Sequence, residues 1–382
     1  MSDTYTFAPV AGLFGGSIMG IACAILLVGN GDILGCSGVS GRFILNPMSA
    51  FEGRRWEIIF LVSFVITSNL YNSWIVTPGQ SEVLSETIPY VSNPGYILGG
   101  LFVGLGSRLG SGCTSGHGLC GLARVSKRAF VAVITFMGSG MLTASFITLY
   151  VDFLRCSPQD SLFSKPLAHI LGLIILVSTI IGGGMSLAYA GRDSKTLDAD
   201  DLVNEESALA IVGTDETIDN TAIARSNETK KYLYASIAAA LFAIGLAVSG
   251  MIYQNKIIDF LDLTRFANLS WDGTLAMVMG GGLLFSAYGY HWVKGIGITD
   301  HQNAMTQPLK SDHFNMPYET KTVDTQLIVG NILFGCGWAI AGFCPGPALY
   351  QFATGNPKVV FMWMPANIIG IFIAEAVMPF FA

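Results

Sequence analysis

Two interrupted apolar segments, each rich in glycine and each containing cysteine, constrain this chain most strongly. Residues 106–121 read GSRLGSGCTSGHGLCG, which is too rich in glycine for a regular helix although it lies within an apolar stretch. Residues 335–347, GCGWAIAGFCPGP, repeat the spacing: Cys344 lies seven residues after Gly337, as Cys113 lies seven after Gly106. A membrane tolerates interrupted helices only where the freed backbone groups are buried in protein or line a polar cavity. The pair therefore predicts a path or binding site.

The composition places these interruptions in a membrane protein. Of the 382 residues, 52% are hydrophobic and 12% charged, and the mean hydropathy is +0.55. No Lys or Arg precedes the first apolar stretch, so we expect that stretch to be retained as a span and not cleaved as a signal peptide. The seven cysteines include no CxxC pair, which argues against a disulfide framework and a zinc site. We expect neither a metal nor a cofactor.

The fold class predicted is an all-α polytopic membrane protein with about nine transmembrane helices. Each apolar run is about 20 residues or longer, enough to cross a bilayer core of about 30 Å. The runs lie at about 9–30, 56–77, 96–122, 129–151, 167–190, 232–253, 273–291, 327–355 and 359–380.

Charge in the connections predicts the orientation. Fourteen Lys and Arg residues fall on one side of the membrane and five on the other, with Arg108 inside a span. We expect the chain to lie in the plasma membrane. Its N-terminus should then be outside the cell, and its C-terminus and the 191–231 loop in the cytoplasm. That loop has ten acidic and five basic residues, a composition that predicts a solvated, disordered segment.

Weak internal similarity predicts two inverted repeats with re-entrant or broken helices. Val39-Ser40-Gly41 matches Val248-Ser249-Gly250, and Trp56-Glu57 resembles Trp271-Asp272. Five spans separate the two starts, and this odd number inverts the second copy, which predicts a site near the midplane. We assign 1–190 to the first repeat plus a connecting helix, 191–231 to the loop, and 232–382 to the second repeat.

Three thiols are the candidate contacts of such a site. Residues 30–41 read NGDILGCSGVSG and predict a re-entrant turn carrying Cys36, whereas the matching segment 243–251 has no cysteine. Sulfur is soft and polarizable, so cysteines can contact a sulfur-bearing solute without holding it tightly. An isolated cysteine is more often a buried packing residue, and we keep that interpretation for Cys23 and Cys156. Half-helix N-termini at the breaks offer N–H groups to an anion.

Several strings resemble the YeeE/YedE sulfur-transport family: GSGCTSGHGLCG, FLD at 260–262, WDGTLAMVMGGGL at 271–283 and FGCGWAIAGFCPGPAL at 334–349. The two halves resemble two small family members fused in one chain. The resemblance implies a membrane path for thiosulfate, lined by Cys113, Cys344 and Cys36, with a cytosolic sulfur carrier as a partner and no role for nucleic acid. Residues that we expect to support the path are Arg108, Gly112, Ser115, Gly116, His117, Cys120, Gly342 and Gly346.

Three functional interpretations stay open. The first is a non-enzymatic transporter of thiosulfate or of another sulfur or selenium species. The second is a membrane sulfurtransferase or persulfide relay, in which His117 or Arg108 would activate a thiol. The third is a structural role, in which Gly106-xxx-Gly110 and Gly112-xxx-Gly116 serve close helix packing and His117 caps freed carbonyls.

Overall fold

The computed structural model describes residues 7–47, 54–74, 91–151, 154–155, 216–266, 270–295 and 323–381. These residues are predominantly helical, and the β-structure among them is an isolated bridge between Val91 and Arg155. The chain divides into two units, residues 1–158 with 230–382, and residues 159–229. Everything described below lies in the first unit, apart from the start of one helix.

The helices follow the same order in the two halves. In the first half they are α1 (Pro9–Asn30), α2 (Cys36–Leu45), α3 (Arg55–Trp74), α4 (Asn93–Leu109), the π-helical α5 (Thr114–Gly121) and α6 (Lys127–Tyr150). In the second they are α7 (Glu216–Val248), α8 (Gln254–Leu261), α9 (Thr274–Gly295), α10 (Thr325–Ala341), α11 (Pro345–Ala353) and α12, which begins as a π-helical stretch (Val359–Trp363) and continues as Met364–Val377. Each half thus runs long, short, long, then a broken pair, then long.

This order corrects part of the sequence match between the halves. Val39-Ser40-Gly41 lies inside the short helix α2, whereas Val248-Ser249-Gly250 forms the end of the long helix α7. The two strings are therefore not equivalent in the structure, because three small residues recur easily by chance in a glycine-rich chain. The residue at the start of α8, in the place that Cys36 occupies in α2, is Gln254.

Matching ion pairs support the other part of that match. Arg42 of α2 donates from Nε to Glu57 in the first turn of α3, at 2.7 Å. Lys256 of α8 lies 2.7 Å from Asp272, just before α9. Glu57 and Asp272 are buried, so each pair joins a short helix to the next long one through a charge that would be costly to leave alone.

Each predicted apolar run, except 167–190 outside the described residues, falls on a helix. By length and hydropathy, the described residues contain four span candidates, Pro9–Asn30, Lys127–Tyr150, Glu228–Val248 and Val359–Phe381. The bent pair Thr325–Ala341 and Pro345–Ala353 makes a fifth. The other four of the predicted nine are not in this number because 167–190 lies outside the described residues, α4 is only 17 residues long, and α3 and α9 include many polar residues.

Packing around the breaks uses close backbone contact. The two broken helices α4 and α10 pack on each other, and each also packs on the last long helix of the other half, α12 and α6 respectively. A Cβ on Gly106 would collide with the Phe334 backbone nitrogen, and one on Gly330 would collide with the Gly110 backbone nitrogen. The small-xxx-small interpretation is thus confirmed for Gly106 and Gly110.

The acidic segment differs from expectation at its C-terminal end. Residues 216–231, predicted to be disordered, belong to α7, which continues into the apolar residues 232–248. A helix that is already nucleated in an apolar stretch extends at low cost into Ala-, Lys- and Glu-containing sequence. Residues 191–215 lie outside the described residues.

Candidate functional site

The first break lies between α4 and α5 and is closed by a histidine. The Nε2 atom of His117 lies 3.0 Å from the Gly110 carbonyl oxygen, which the end of α4 leaves without a helical partner. Ser111 turns the chain with φ of 56°. Gly112 must lack a side chain, because a Cβ there would lie 2.5 Å from His117 Nε2. The expectation that His117 caps a freed carbonyl is confirmed.

The second break, between α10 and α11, is satisfied by two polar side chains. Gln254 Nε2 donates to the Ala341 carbonyl at 2.6 Å, and Arg155 donates to the carbonyls of Ile340 and Ala339 at 3.0 and 3.3 Å. Gly342 ends α10 with φ of +66°. Both breaks therefore follow the rule that broken backbone inside a membrane protein needs buried partners.

Each of the three candidate thiols lies at the start of a short helix. Cys36 is the first residue of α2, Cys113 is the N-cap of α5, and Cys344 is the N-cap of α11. All three are buried free thiols. The interruptions thus bring three sulfur atoms and three helix N-termini into one region.

Hydroxyl groups of α5 join these thiols. Ser115 Oγ accepts a hydrogen bond from the Cys36 backbone N–H at 3.2 Å and lies 3.2 Å from Cys113 Sγ. Thr114 Oγ1 donates to Cys344 Sγ at 3.3 Å. Consecutive residues of α5 therefore connect the backbone of Cys36, at the start of α2 in the first half, with the α11 thiol in the second.

A cavity of about 420 Å³ lies beside this cluster. Cys36, Thr114, Ser115, Cys344 and Gly346 line it, and the rest of the described lining is largely aliphatic, aromatic or methionine. Six lining side chains carry sulfur: Met19, Cys36, Met137, Met251, Met279 and Cys344. None of the described lining residues is charged.

The N-terminus of α11 offers fewer donors than expected. Pro345 and Pro347 have no N–H, so among the first three residues of the helix only Gly346 can donate, and its N–H is directed at Cys344. A Cβ at Gly346 would come 3.5 Å from Cys36 Sγ, an ordinary van der Waals distance, so the helices of the two thiols are close at this point. An anion here would rely on side chains and on the helix dipole more than on N–H groups.

Other predicted supporting residues lie away from the cavity. Arg108 is ion-paired with Glu375 of α12 and does not line the cavity, so it lies away from the path that it was expected to support. A Cβ on Gly116 would meet nothing within 4 Å, so its pairing with Gly112 in helix contact is not supported. Cys113 does not line the cavity and reaches it through Ser115. Cys120 donates from its thiol to the Leu34 carbonyl at 3.3 Å.

Sequence reasoning missed two functional candidates. Thr114 contacts Cys344 across 230 residues of sequence, and its position between Cys113 and Ser115 in the motif was the available signal. Trp338 lines the cavity, and its Nε1–H has no hydrogen-bond partner among the described residues. Because that atom is itself buried, Trp338 is a lining residue and not a donor to a bound anion, and a tryptophan in an apolar helix gives no signal of this place in sequence.

Comparison with known proteins gives two findings. Residues 231–379 match the model of a family of unknown function, DUF6691. A Xylella fastidiosa (strain Temecula1 / ATCC 700964) protein named "Probable transporter" is 39% identical over 140 residues, which are 36% of this chain and 94% of that protein. A second "Probable transporter" from strain 9a5c is 31% identical over 135 residues, 35% of this chain and 84% of that protein.

Proposed function

We propose that this chain, which belongs to the family of those Xylella fastidiosa probable transporters, carries thiosulfate or a related small sulfur anion across a membrane. The ion would pass through the cavity beside Cys36, Thr114, Ser115 and Cys344. The family relationship supports transport in general. The observation that carries the choice of substrate is the meeting of three thiols, at the starts of three short helices, beside one sulfur-rich cavity.

The chemistry of the lining favours a soft anion. The thiol and thioether sulfurs of the wall are polarizable and match the terminal sulfur of thiosulfate. Its oxygens can accept hydrogen bonds from the cavity-lining hydroxyls of Ser115 and Thr114, the latter once its proton turns away from Cys344 Sγ. A hard, strongly hydrated ion such as sulfate would lose more hydration energy in this largely apolar wall than those donors return.

The absence of charge among the described lining residues favours passage over retention. A buried Arg or Lys would hold a dianion strongly and slow its release. Neutral donors and helix dipoles provide weaker stabilisation, and conduction requires sites from which the ion can leave.

The geometry gives less support to a sulfurtransferase. Arg108 is committed to Glu375 and His117 to the Gly110 carbonyl, so neither of the groups proposed to activate a thiol faces one. A transporter needs no activated nucleophile. This supports a non-enzymatic role, with selenium analogues or other sulfur species as further candidate substrates.

The matched element order also supports a chain built from two family-sized halves. Each relative is nearly covered by about a third of this chain, and the DUF6691 match coincides with the second half. In our proposal the chain lies in the plasma membrane with its N-terminus outside, and delivers sulfur to a cytosolic sulfur-carrier protein.

The test is uptake of labelled thiosulfate in cells that lack their own sulfur-anion importers. Native chain is compared with Cys36→Ala and Cys344→Ala at equal membrane abundance. Cys336→Ala is the matched control, because this free thiol lies on α10 and accepts from Thr143 outside the cavity. We expect uptake by the native chain and the control, with a loss of at least about tenfold in the two cavity variants. Normal uptake by both cavity variants would refute the thiol path.

A further inference from the structure

The cavity is larger than a thiosulfate ion needs. Its volume of about 420 Å³ lies within the range of roughly 300–1,000 Å³ that is usual for pockets enclosing organic ligands. Thiosulfate has five non-hydrogen atoms and occupies on the order of 100 Å³, if each atom takes slightly less room than a water molecule of about 30 Å³. A single thiosulfate ion would therefore leave most of the cavity unfilled.

The polar groups of the cavity wall are gathered in one place. Ser115 is hydrogen-bonded to the backbone of Cys36, and its neighbour Thr114 donates to the Cys344 thiol. We call these four residues the polar corner. The rest of the described lining is largely aliphatic, thioether or aromatic, and its aromatic rings come from four helices: Phe136, Phe242, Phe260 and Trp338. The cavity is therefore amphipathic, with a small polar corner and a larger apolar part.

The lack of charged side chains in the described lining bears on the charge of the ligand. The cost of moving an ion out of water rises with the square of its charge, so a dianion costs about four times as much as a monoanion of equal size. The neutral groups of the polar corner offset the smaller cost more completely. Among sulfur anions, this wall therefore favours those that carry a single charge.

We propose that the cavity also takes organic thiosulfonates, R–SO₂–S⁻, in which a carbon group R replaces one oxygen of thiosulfate. Such an anion keeps the terminal sulfur for the thiols of Cys36 and Cys344 and carries one charge. Its two oxygens accept from the hydroxyls of Thr114 and Ser115, and R fills the apolar part of the cavity. The inference rests on the proposed function, because both ligands use the same polar corner. It needs no covalent step.

Gly280 gives a way to fill the apolar part by substitution. It lines the cavity from α9, and a Cβ there would meet nothing within 4 Å. A leucine therefore fits without a clash at its Cβ, takes up space that R would fill, and favours the helix more than glycine does. Gly138 of α6 is the matched control, because a Cβ there would also meet nothing within 4 Å but the residue does not line the cavity.

The experiment measures the affinity of the purified chain in detergent for labelled benzenethiosulfonate and methanethiosulfonate. The method is equilibrium dialysis, corrected for binding to detergent alone. The two compounds share the R–SO₂–S⁻ group and differ in the size of R. Because the ring buries more apolar surface, we expect benzenethiosulfonate to bind at least about tenfold more tightly. Gly280→Leu should remove this difference and change the affinity for methanethiosulfonate less than about twofold, and Gly138→Leu should change neither affinity.

Equal affinities of the native chain for the two compounds would overturn the inference, and this comparison does not depend on the folding of a variant. Equal losses in Gly280→Leu and Gly138→Leu, or no binding of either compound, would also overturn it. Uptake of labelled thiosulfate by the native chain, measured in parallel, separates this proposal from the proposed function. Uptake without size-dependent binding removes the organic ligands alone. Size-dependent binding without uptake supports the organic ligands and refutes transport of thiosulfate.

Discussion

At the residue scale, the hydrogen bond from Thr114 to the Cys344 sulfur joins the two halves of the chain at the wall of the cavity. Thr114→Val keeps the shape of the side chain and removes the hydroxyl proton, which is donated to the thiol in the empty site and is available to an anion when the thiol releases it. One such bond contributes about 1 kcal/mol, so we expect the KM for thiosulfate uptake to rise about fivefold. Concentration-dependent uptake at equal protein abundance measures it.

The chain contains a matched control for that prediction. Thr143 donates to Cys336 Sγ at 3.3 Å, the same kind of bond at the same length, but neither residue lines the cavity. Thr143→Val should leave the KM unchanged. Equal effects of the two substitutions would mean that the bonds act only through stability, and would contradict a role for Thr114 in binding.

Single residues also show where sequence reasoning reached its limit. The positions of Cys113 and Cys344 at helix breaks could be predicted, because glycine and proline interrupt apolar segments locally. The partner of Arg108 could not, since Glu375 is 267 residues away and the pairing depends on how α4 and α12 are rotated against each other.

At the scale of the element, the end of α10 depends on Gly342. Its φ of +66° costs other residues about 1–2 kcal/mol, and a Cβ there would also lie 2.8–3.0 Å from atoms of Gln254. Gly342→Ala should therefore lower the free energy of unfolding by more than the cost of the backbone conformation alone. It should also weaken the hydrogen bond from Gln254 to the Ala341 carbonyl. Thermal unfolding in detergent measures the change.

A substitution at Gly355 separates the cost of the backbone conformation from the cost of the steric clash. It has φ of +80°, but a Cβ there would meet nothing within 4 Å. Gly355→Ala should show only the backbone cost of about 1–2 kcal/mol. If Gly342→Ala were no more destabilising than Gly355→Ala, the packing of Gln254 against the break would not contribute to stability.

The start of α10 permits a second element-level prediction. Asp324 caps the helix by accepting from the Leu327 N–H at 2.7 Å, and it also accepts from Arg128 at the start of α6. Asp324→Asn retains a capping oxygen and loses the ion pair, whereas Asp324→Ala loses both. We expect a loss of about 1 kcal/mol for Ala and a smaller loss for Asn, because the Asp324 side chain is 45% exposed and solvent weakens its ion pair. Equal losses would show that the ion pair, and not the cap, holds this helix start.

The apolar runs of the sequence predicted where the helices lie better than the short sequence matches predicted which helices of the two halves correspond. Each run of about 20 apolar residues within the described ranges became a helix, because backbone polar groups in lipid must be satisfied within the segment. The match of Val39-Ser40-Gly41 to the end of α7 was wrong, since identity over three small residues carries little information about register. The ion pairs of Glu57 and Asp272 gave the better correspondence.

At the scale of the whole molecule, the distribution of Lys and Arg among the connections predicts which loops face which side. The sequon Asn268-Leu-Ser should lie outside and Asn227-Glu-Thr in the cytoplasm. In a eukaryotic host we therefore expect no glycan on Asn227, measured by the mobility of the protein before and after deglycosylation. A glycan on Asn227 would show that the chain has the opposite orientation to the one predicted, and that the path runs in the opposite direction.

The whole-molecule claim is that one sulfur-lined path moves an intact anion. Thiosulfate labelled separately on its two sulfur atoms, offered to proteoliposomes of the purified chain, tests this most directly. We predict that both labels accumulate inside in equal amounts, and that Cys36→Ala and Cys344→Ala reduce both together. Arrival of the terminal sulfur alone, with sulfite left outside, would contradict the account and identify a sulfurtransferase.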